Sequence, residues 1–417
     1  MARQHRTLSA TLVGALLAAG SCSSVSDEAT GEVQGEWTSD RQQDGDTLMV
    51  RTLAGSIWGD TASLVEELAI GQLDGEQQYL FGRIAGLAVA LDGSVVAVDA
   101  QAAEVRIFSA DGQHVRTFGR EGGGPGEFRR PDLVEVTSDG RIVVRDPVAA
   151  RFSLFSLQGE YLTSWSYASG YSTNAPFYVS DNDRVVNPSL RDHLVVYDLT
   201  GAARDTLQVP SRGFTPPRLD VVMENGRASY EIPFQPREHW SVTREGSILF
   251  GNSQRLSFER WTPTGQVLKV ERLAAPVPVV PGEAAQDRES LARAVRRAHD
   301  PTWTWQGASI PATKPYYRSL LAGIDGTVWL FREGPSTEEP NPNWEPDRAD
   351  VLFATMWTAP IVADVFDAQG TYLGPVRLPT NVTYSNPHPV LSRERIWAVG
   401  RHALGYPQVL VLKVVPS

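Results

Sequence analysis

One internal repeat limits the fold of this chain more than any other feature. LAVALDGSVVAVDAQAAEVRIFSADGQHVRTFG, from Leu87, aligns with LVEVTSDGRIVVRDPVAARFSLFSLQGEYLTSW, from Leu133. Gly93 and Gly140 lie 47 residues apart, as do Asp99 and Asp146, Ile107 and Leu154, Phe108 and Phe155, and Gly112 and Gly159. Each unit reads as four short strands. Runs such as SVVAV, EVRIF and HVRTF are β-branched, apolar or alternating, and a glycine after aspartate supplies the positive φ that a tight hairpin needs. The two hairpin glycines of a unit are 19 residues apart, and the same interval separates Gly246 from Gly265.

More degenerate copies start at Phe177, at His239, near Leu320 (resuming after an insertion at VADVFDAQGTYLGPV), and at PVLSRERIWAVG. The last copy ends with PQVLVLKVV, one strand short, while LVEELAIG (Leu64 to Gly71) reads as a fourth strand without a blade. If the two share a blade, the ring closes at six. Radial stacking of four-stranded sheets shields strand edges, and each unit needs neighbours to bury its faces. The expected fold is all-β, a six-bladed β-propeller closed by an N-terminal strand in the last blade. One short surface helix is expected in GEAAQDRESLARAVRRAHD, which has early acids, late bases, and Leu291, Ala292 and Val295 along one side.

GREGGGPGEFRRPDLVEVTSDGRIVVRD resembles the NHL repeat in its glycine-rich start, its Phe-x-x-Pro and its aspartate after the second strand. The similarity covers about residues 64 to 415 and is strongest in the first two units. It implies an NHL-like propeller and leaves function open, because related propellers include binding scaffolds, lyases and lactone hydrolases. The stretch FGREGGGPGEF is not a phosphate cradle. It has neither the Gly-Lys-Ser/Thr of a P-loop nor a G-x-G-x-x-G between strand and helix, and it reads as a corner between two blades.

The N-terminus points to export. Arg3 and Arg6 precede the apolar LSATLVGALLAAGSC, which is too short to span a bilayer at roughly 20 residues. That run ends at Cys22, the only cysteine. Ala19-Gly20-Ser21-Cys22 resembles the lipobox of bacterial lipoproteins, with alanine in place of the usual leucine three residues before the cysteine. The resemblance implies a signal peptide over residues 1 to 21, lipidation of Cys22, and a protein anchored in the bacterial envelope facing the periplasm or the exterior. Residues 22 to 47 are polar and acidic, with almost no aliphatic side chains, and read as a flexible tether. Residues 48 to 417 are then the propeller, expected to be monomeric. A formal charge of -11 argues against a nucleic-acid partner.

In a propeller, the turns from first to second and from third to fourth strand leave by one face, and the other connections leave by the opposite face. Here the first set is short, as in Leu91-Asp92-Gly93 and Ala110-Asp111-Gly112. The second set carries long insertions near residues 209 to 238, 274 to 316 and 332 to 361. Loops on a rigid scaffold tend to carry function, so the decorated face is the expected working face. The residues entering the inner strands there are Arg83, Arg130, Pro176, His239, Tyr317 with Arg318, and His388. They form a candidate mouth for a small molecule, a peptide or an envelope protein.

His239 and His388 are candidates for a zinc or calcium site at the channel, although the chain has no HExxH or close ligand pair; no cofactor is the primary expectation. Asp99, Asp146 and Asn252 recur six positions after a hairpin glycine, which points to structural turns more than to calcium. Trp303, Trp305, Trp344 and Trp357 lie in the insertions, as loop anchors or as stacking platforms. Without a Gly-x-Ser-x-Gly elbow, a binding role leads. A propeller enzyme of lyase or lactone-hydrolase type, with or without a metal, and a structural assembly module are the alternatives.

Overall fold

A computed structural model describes residues 37–167, 175–189, 193–209, 211–223, 226–346 and 352–417. The signal segment, Cys22 and the first part of the expected tether lie outside the described residues. In blade one, Ile84–Val89, Val95–Asp99, Glu104–Phe108 and His114–Phe118 pair in sequence order as an antiparallel sheet. The first two strands are buried at every position, whereas the fourth is mostly exposed. An inner strand covered on both faces by neighbouring blades must be apolar throughout, which accounts for IAGLAV and VVAVD.

Blades two and three repeat this order between Leu133 and Ser166 and between Tyr178 and Gln208. Blade four spans Glu238 to Arg272, and blade five is built from Ser319–Ala322, Val328–Glu333, Ile361–Phe366 and Tyr372–Arg377. Blade six takes Val390–Leu391, Arg395–Arg401 and Pro407–Val415 from the end of the chain and Ser63–Ile70 from near its start. The closing register runs from Leu64 opposite Val414 to Ile70 opposite Val409, as the repeat count requires.

Six apolar clusters among the described residues each span one pair of adjacent blades. Val96, Val134 and Phe155 join blades one and two, and Phe152, Phe177 and Tyr197 join two and three. Val186, Leu194, Val196 and Val242 join three and four, the smallest of the set. Leu249, Phe258 and Phe366 join four and five, and Trp329, Ile396 and Leu412 join five and six. Ile70, Val409, Leu87 and Phe108 bring blade six against blade one, so the ring is continuous.

The tether expected over residues 22 to 47 ends earlier than its composition suggests. Thr38–Asp44 and Thr47–Ala54 form a hairpin, and the second of these lies parallel to Val267–Arg272 on the outer edge of blade four. The chain then follows the edge of blade five, where Ile57 and Trp58 donate backbone N–H groups to the Tyr372 and Leu373 carbonyls and Ala62 donates to Pro375. From there it enters blade six. A strap of early residues therefore binds three successive blades through backbone hydrogen bonds, a role that polar side chains such as TSDRQQD do not announce.

The glycine-rich stretch is an interblade corner. Phe128 is fully buried against Phe155, and the Glu127 carboxylate accepts from Arg120 and from the Gly124 N–H at 2.8 Å. Gly119 has φ +88, and a Cβ there would lie 2.4 Å from the Phe128 ring. The repeated aspartates serve the fold. Asp99 accepts from the N–H groups of Gly82, Arg83, Gln101 and Ala102, and Asp146 from those of Arg129, Arg130 and Ala149. Asp146→Ala strands these buried donors and is expected to cost about 2 kcal/mol, read from urea unfolding. A loss near zero would contradict the structural role.

Candidate functional site

The three insertions pack on one another. The first carries the hairpin Arg218–Met223 with Gly226–Glu231, the second the helix α1 (Pro281–Ala298), and the third the hairpin Thr337–Pro340 with Thr355–Thr358. Tyr230 hydrogen-bonds His299, Gln286 donates to the Thr355 carbonyl at 2.8 Å, and Trp357 covers Gly282 at the start of α1. Ala292 and Val295 are the buried side of the helix, as its spacing predicts. Trp305 donates to the Ala308 carbonyl under the Arg288 guanidinium, and Trp303 meets its ring edge-on, so these tryptophans anchor loops. Trp344 is exposed.

At the centre of these contacts is Lys314, whose side chain is 1% exposed. Its ammonium donates to Ser336 at 2.6 Å and to the Gly334 carbonyl, and pairs with Glu283 of α1 at 3.0 Å and with Glu333 at 3.5 Å. Ser336 donates in turn to Glu283, and the Phe234 ring lies 5.5 Å from the ammonium. One cation thus joins all three insertions.

The expected mouth residues do not form a single cluster. Arg83 and Arg130 are exposed and contribute backbone N–H groups to Asp99 and Asp146. Arg318 is exposed and paired with Glu333. Tyr317 is fully buried, and its hydroxyl donates to the Ser257 carbonyl. His239 packs 5.2 Å from the Tyr317 ring, and burial, with Arg237 nearby, pushes its pKa down to about 4. His388 and Pro176 do reach the channel. Among the described residues no group of three or more His, Cys, Asp or Glu side chains is placed to hold a metal ion.

All six inner strands converge on a central cavity of about 110 Å³. Leu87 to Val89, Leu133, Val134 and Leu321 make much of its wall apolar. The polar exceptions are Glu135 from blade two, Tyr178 from blade three, Ser241 and Arg244 from blade four, and His388 from blade six. Tyr178 and Ser241 hydrogen-bond each other, and Ser241 also accepts from the Ala322 N–H at 3.3 Å. Burial lowers the His388 pKa, although its Nδ1 lies 3.4 Å from the Tyr384 carbonyl. Burial also raises the Tyr178 hydroxyl above its usual range.

Glu135 is the anomaly of this wall. Burial raises its carboxyl from 4.5 to about 7, with the Arg244 charge acting in the opposite direction. No hydrogen bond or ion pair reaches that carboxyl among the described residues. Arg244 lies in the short turn after the inner strand of blade four, at the undecorated face, and donates to the Val89 carbonyl at 3.3 Å. Blade one lies opposite blade four in a ring of six, so the guanidinium crosses the channel. Beyond it is a depression of about 660 Å³ that shares Val89, Arg244 and Ile324 with the cavity. The working face expected from the insertions is thus only half of the picture, since the charged groups of the channel stand deeper, toward the bare face.

A closed ring of six antiparallel blades around such a channel is a six-bladed β-propeller. No family model matches the chain, and no curated protein matches it. Among solved structures, a member of the DUF4221 family from Bacteroides vulgatus superposes with a TM-score of 0.51 at 13% identity, over 85% of this chain and 98% of that one. A streptogramin B lyase gives 0.41 at 13% identity over 83% and 97%, and virginiamycin B lyase from Staphylococcus aureus gives 0.40 at 11% over 84% and 98%. At these identities the likeness to the first concerns the fold alone.

Proposed function

We propose that this chain is an exported, lipid-anchored bacterial binding protein whose propeller takes a small molecule in its central channel. The observation that carries this reading is Glu135, an ionisable group facing a cavity without a partner. A half-buried carboxyl without a partner is disfavoured in its charged form, and such groups concentrate at functional sites. Export and anchoring rest on the signal-like segment and Cys22. A cavity of this size favours a small ligand over a peptide or an envelope protein as the channel's occupant.

The test is a thermal-shift and ligand-observed NMR screen of small polar compounds against the purified full chain and its Glu135→Leu variant. Compounds that bind the parent and not the variant are the expected result. A screen in which every hit binds both equally would remove the channel reading. Radiolabelled palmitate in the producing cell should label the parent and not Cys22→Ala.

A carboxyl that exchanges its proton near neutral pH also suits general acid–base chemistry, which keeps a propeller enzyme as the second reading. If the parent consumes a bound compound and Glu135→Gln does not, that reading takes precedence.

A further inference from the structure

The channel wall carries one formal cation and one carboxyl that do not meet. Glu135 and Arg244 feel each other's charge, yet no ion pair joins them. The guanidinium is held by one hydrogen bond, to the Val89 carbonyl. Among the described residues no other charged side chain lines the cavity: blade one contributes Leu87 to Val89, blade three Pro176 to Val179 with the Tyr178 hydroxyl, and blade five Leu321 to Ile324. Blade six contributes His388, whose charged form burial disfavours.

A simple anion against Arg244 leaves Glu135 to be neutralised by a proton, and a simple cation against the Glu135 carboxylate leaves Arg244 without an anion. Each uncompensated charge in such a site is costly. A molecule with both charges satisfies both groups and adds no net charge to the channel. Size points the same way, since a cavity of roughly 150 Å³ accommodates benzene and the part of the ligand held here has about 110 Å³.

We propose that the ligand of the channel is a compact zwitterion of the size of a short amino acid, with its anionic group on Arg244 and its cationic group on Glu135. The proposal rests on the channel being a binding site and names the ligand class. On this proposal entry is from the bare face: Arg244 borders both the cavity and the depression, with Val89 and Ile324, and releasing the Val89 carbonyl lets the guanidinium turn toward an incoming carboxylate.

Glu135 reports which charge arrives. Near neutral pH it is partly protonated, so a cationic group beside it favours the carboxylate and drives proton release. An anion at Arg244 alone would do the reverse and draw a proton in.

The experiment is isothermal titration of the full chain with glycine, L-alanine, β-alanine, acetate and methylamine, in two buffers of different ionisation enthalpy. At least one of the three zwitterions should bind more tightly than acetate or methylamine by about tenfold or more, with net proton release. Arg244→Met and Glu135→Gln should each weaken it by about tenfold or more, the loss of one charge-assisted contact. Arg244→Lys, which keeps the charge, should retain part of the affinity and guards against a variant that fails to fold. Equal affinity for acetate or methylamine, proton uptake, or indifference to both substitutions would overturn the proposal. So would failure of all three zwitterions; the channel reading itself would fall only if the wider screen also yields no ligand that depends on Glu135.

Discussion

Replacing Lys314 by methionine should destabilise the protein by about 3–5 kcal/mol, the usual consequence of removing one member of a buried ion group. The variant leaves Glu283 without a cation, leaves Glu333 with the exposed Arg318 alone, and deprives Ser336 and the Gly334 carbonyl of a donor. Urea unfolding gives the loss as a shift in midpoint at unchanged slope. Because the cation ties α1 to the third insertion, proteolysis should also cut within residues 274 to 316 sooner than in the parent. A double variant, Lys314→Met with Glu283→Gln, should regain part of the stability, since it removes one of the stranded charges. A loss below about 1 kcal/mol would mean that water reaches these carboxylates and compensates them.

Glu135→Gln should change the pH dependence of stability more than stability itself at low pH. The folded-state carboxyl is raised from 4.5 to about 7 by burial. Its contribution is fully favourable below 4.5 and is lost as pH rises through about 7, where ionisation in the folded state becomes unavoidable. The predicted loss in the parent, relative to the variant, is about 3 kcal/mol between about pH 4 and pH 8. His239 acts in the opposite sense: lowered by burial from 6.5 to about 4, it contributes stability above 6.5 that is lost as pH falls toward 4. That contribution is common to both proteins and cancels in the difference. Parallel pH profiles for parent and variant would show that Glu135 is solvated.

The fold was legible because its signals repeat. Gly93 and Gly140 mark equivalent hairpins with φ near +85, and a hairpin glycine tolerates few substitutes. The closing strand was legible because LVEELAIG had no blade of its own. The early hairpin was not, since Thr38–Asp44 occupies an outer edge where neither side of the strand is covered, and no alternation of apolar residues develops.

The site was half legible. His388 and Pro176 stand at the cavity where the inner strands begin, but the charged groups stand deeper along those strands. Glu135 carried a usable signal, an acid within LVEV, in a strand that the ring covers on both sides. Arg244 carried none, because an arginine in a hairpin turn is ordinarily a solvated one. Only ring closure places it opposite Val89.

The strap also sets an order of events. Ser63 pairs with Val415 across a separation of 352 residues, so Ser63–Ile70 has no partner strand until the last blade has emerged, whereas the segment before it docks on blades four and five. During synthesis, Ser63–Ile70 must wait with an open edge for blade six, and contacts this distant in sequence slow the final step. A chain truncated shortly before Pro407 would therefore leave Ser63–Ile70 without its partner strand, and chain length rather than local propensity would time the completion of the ring.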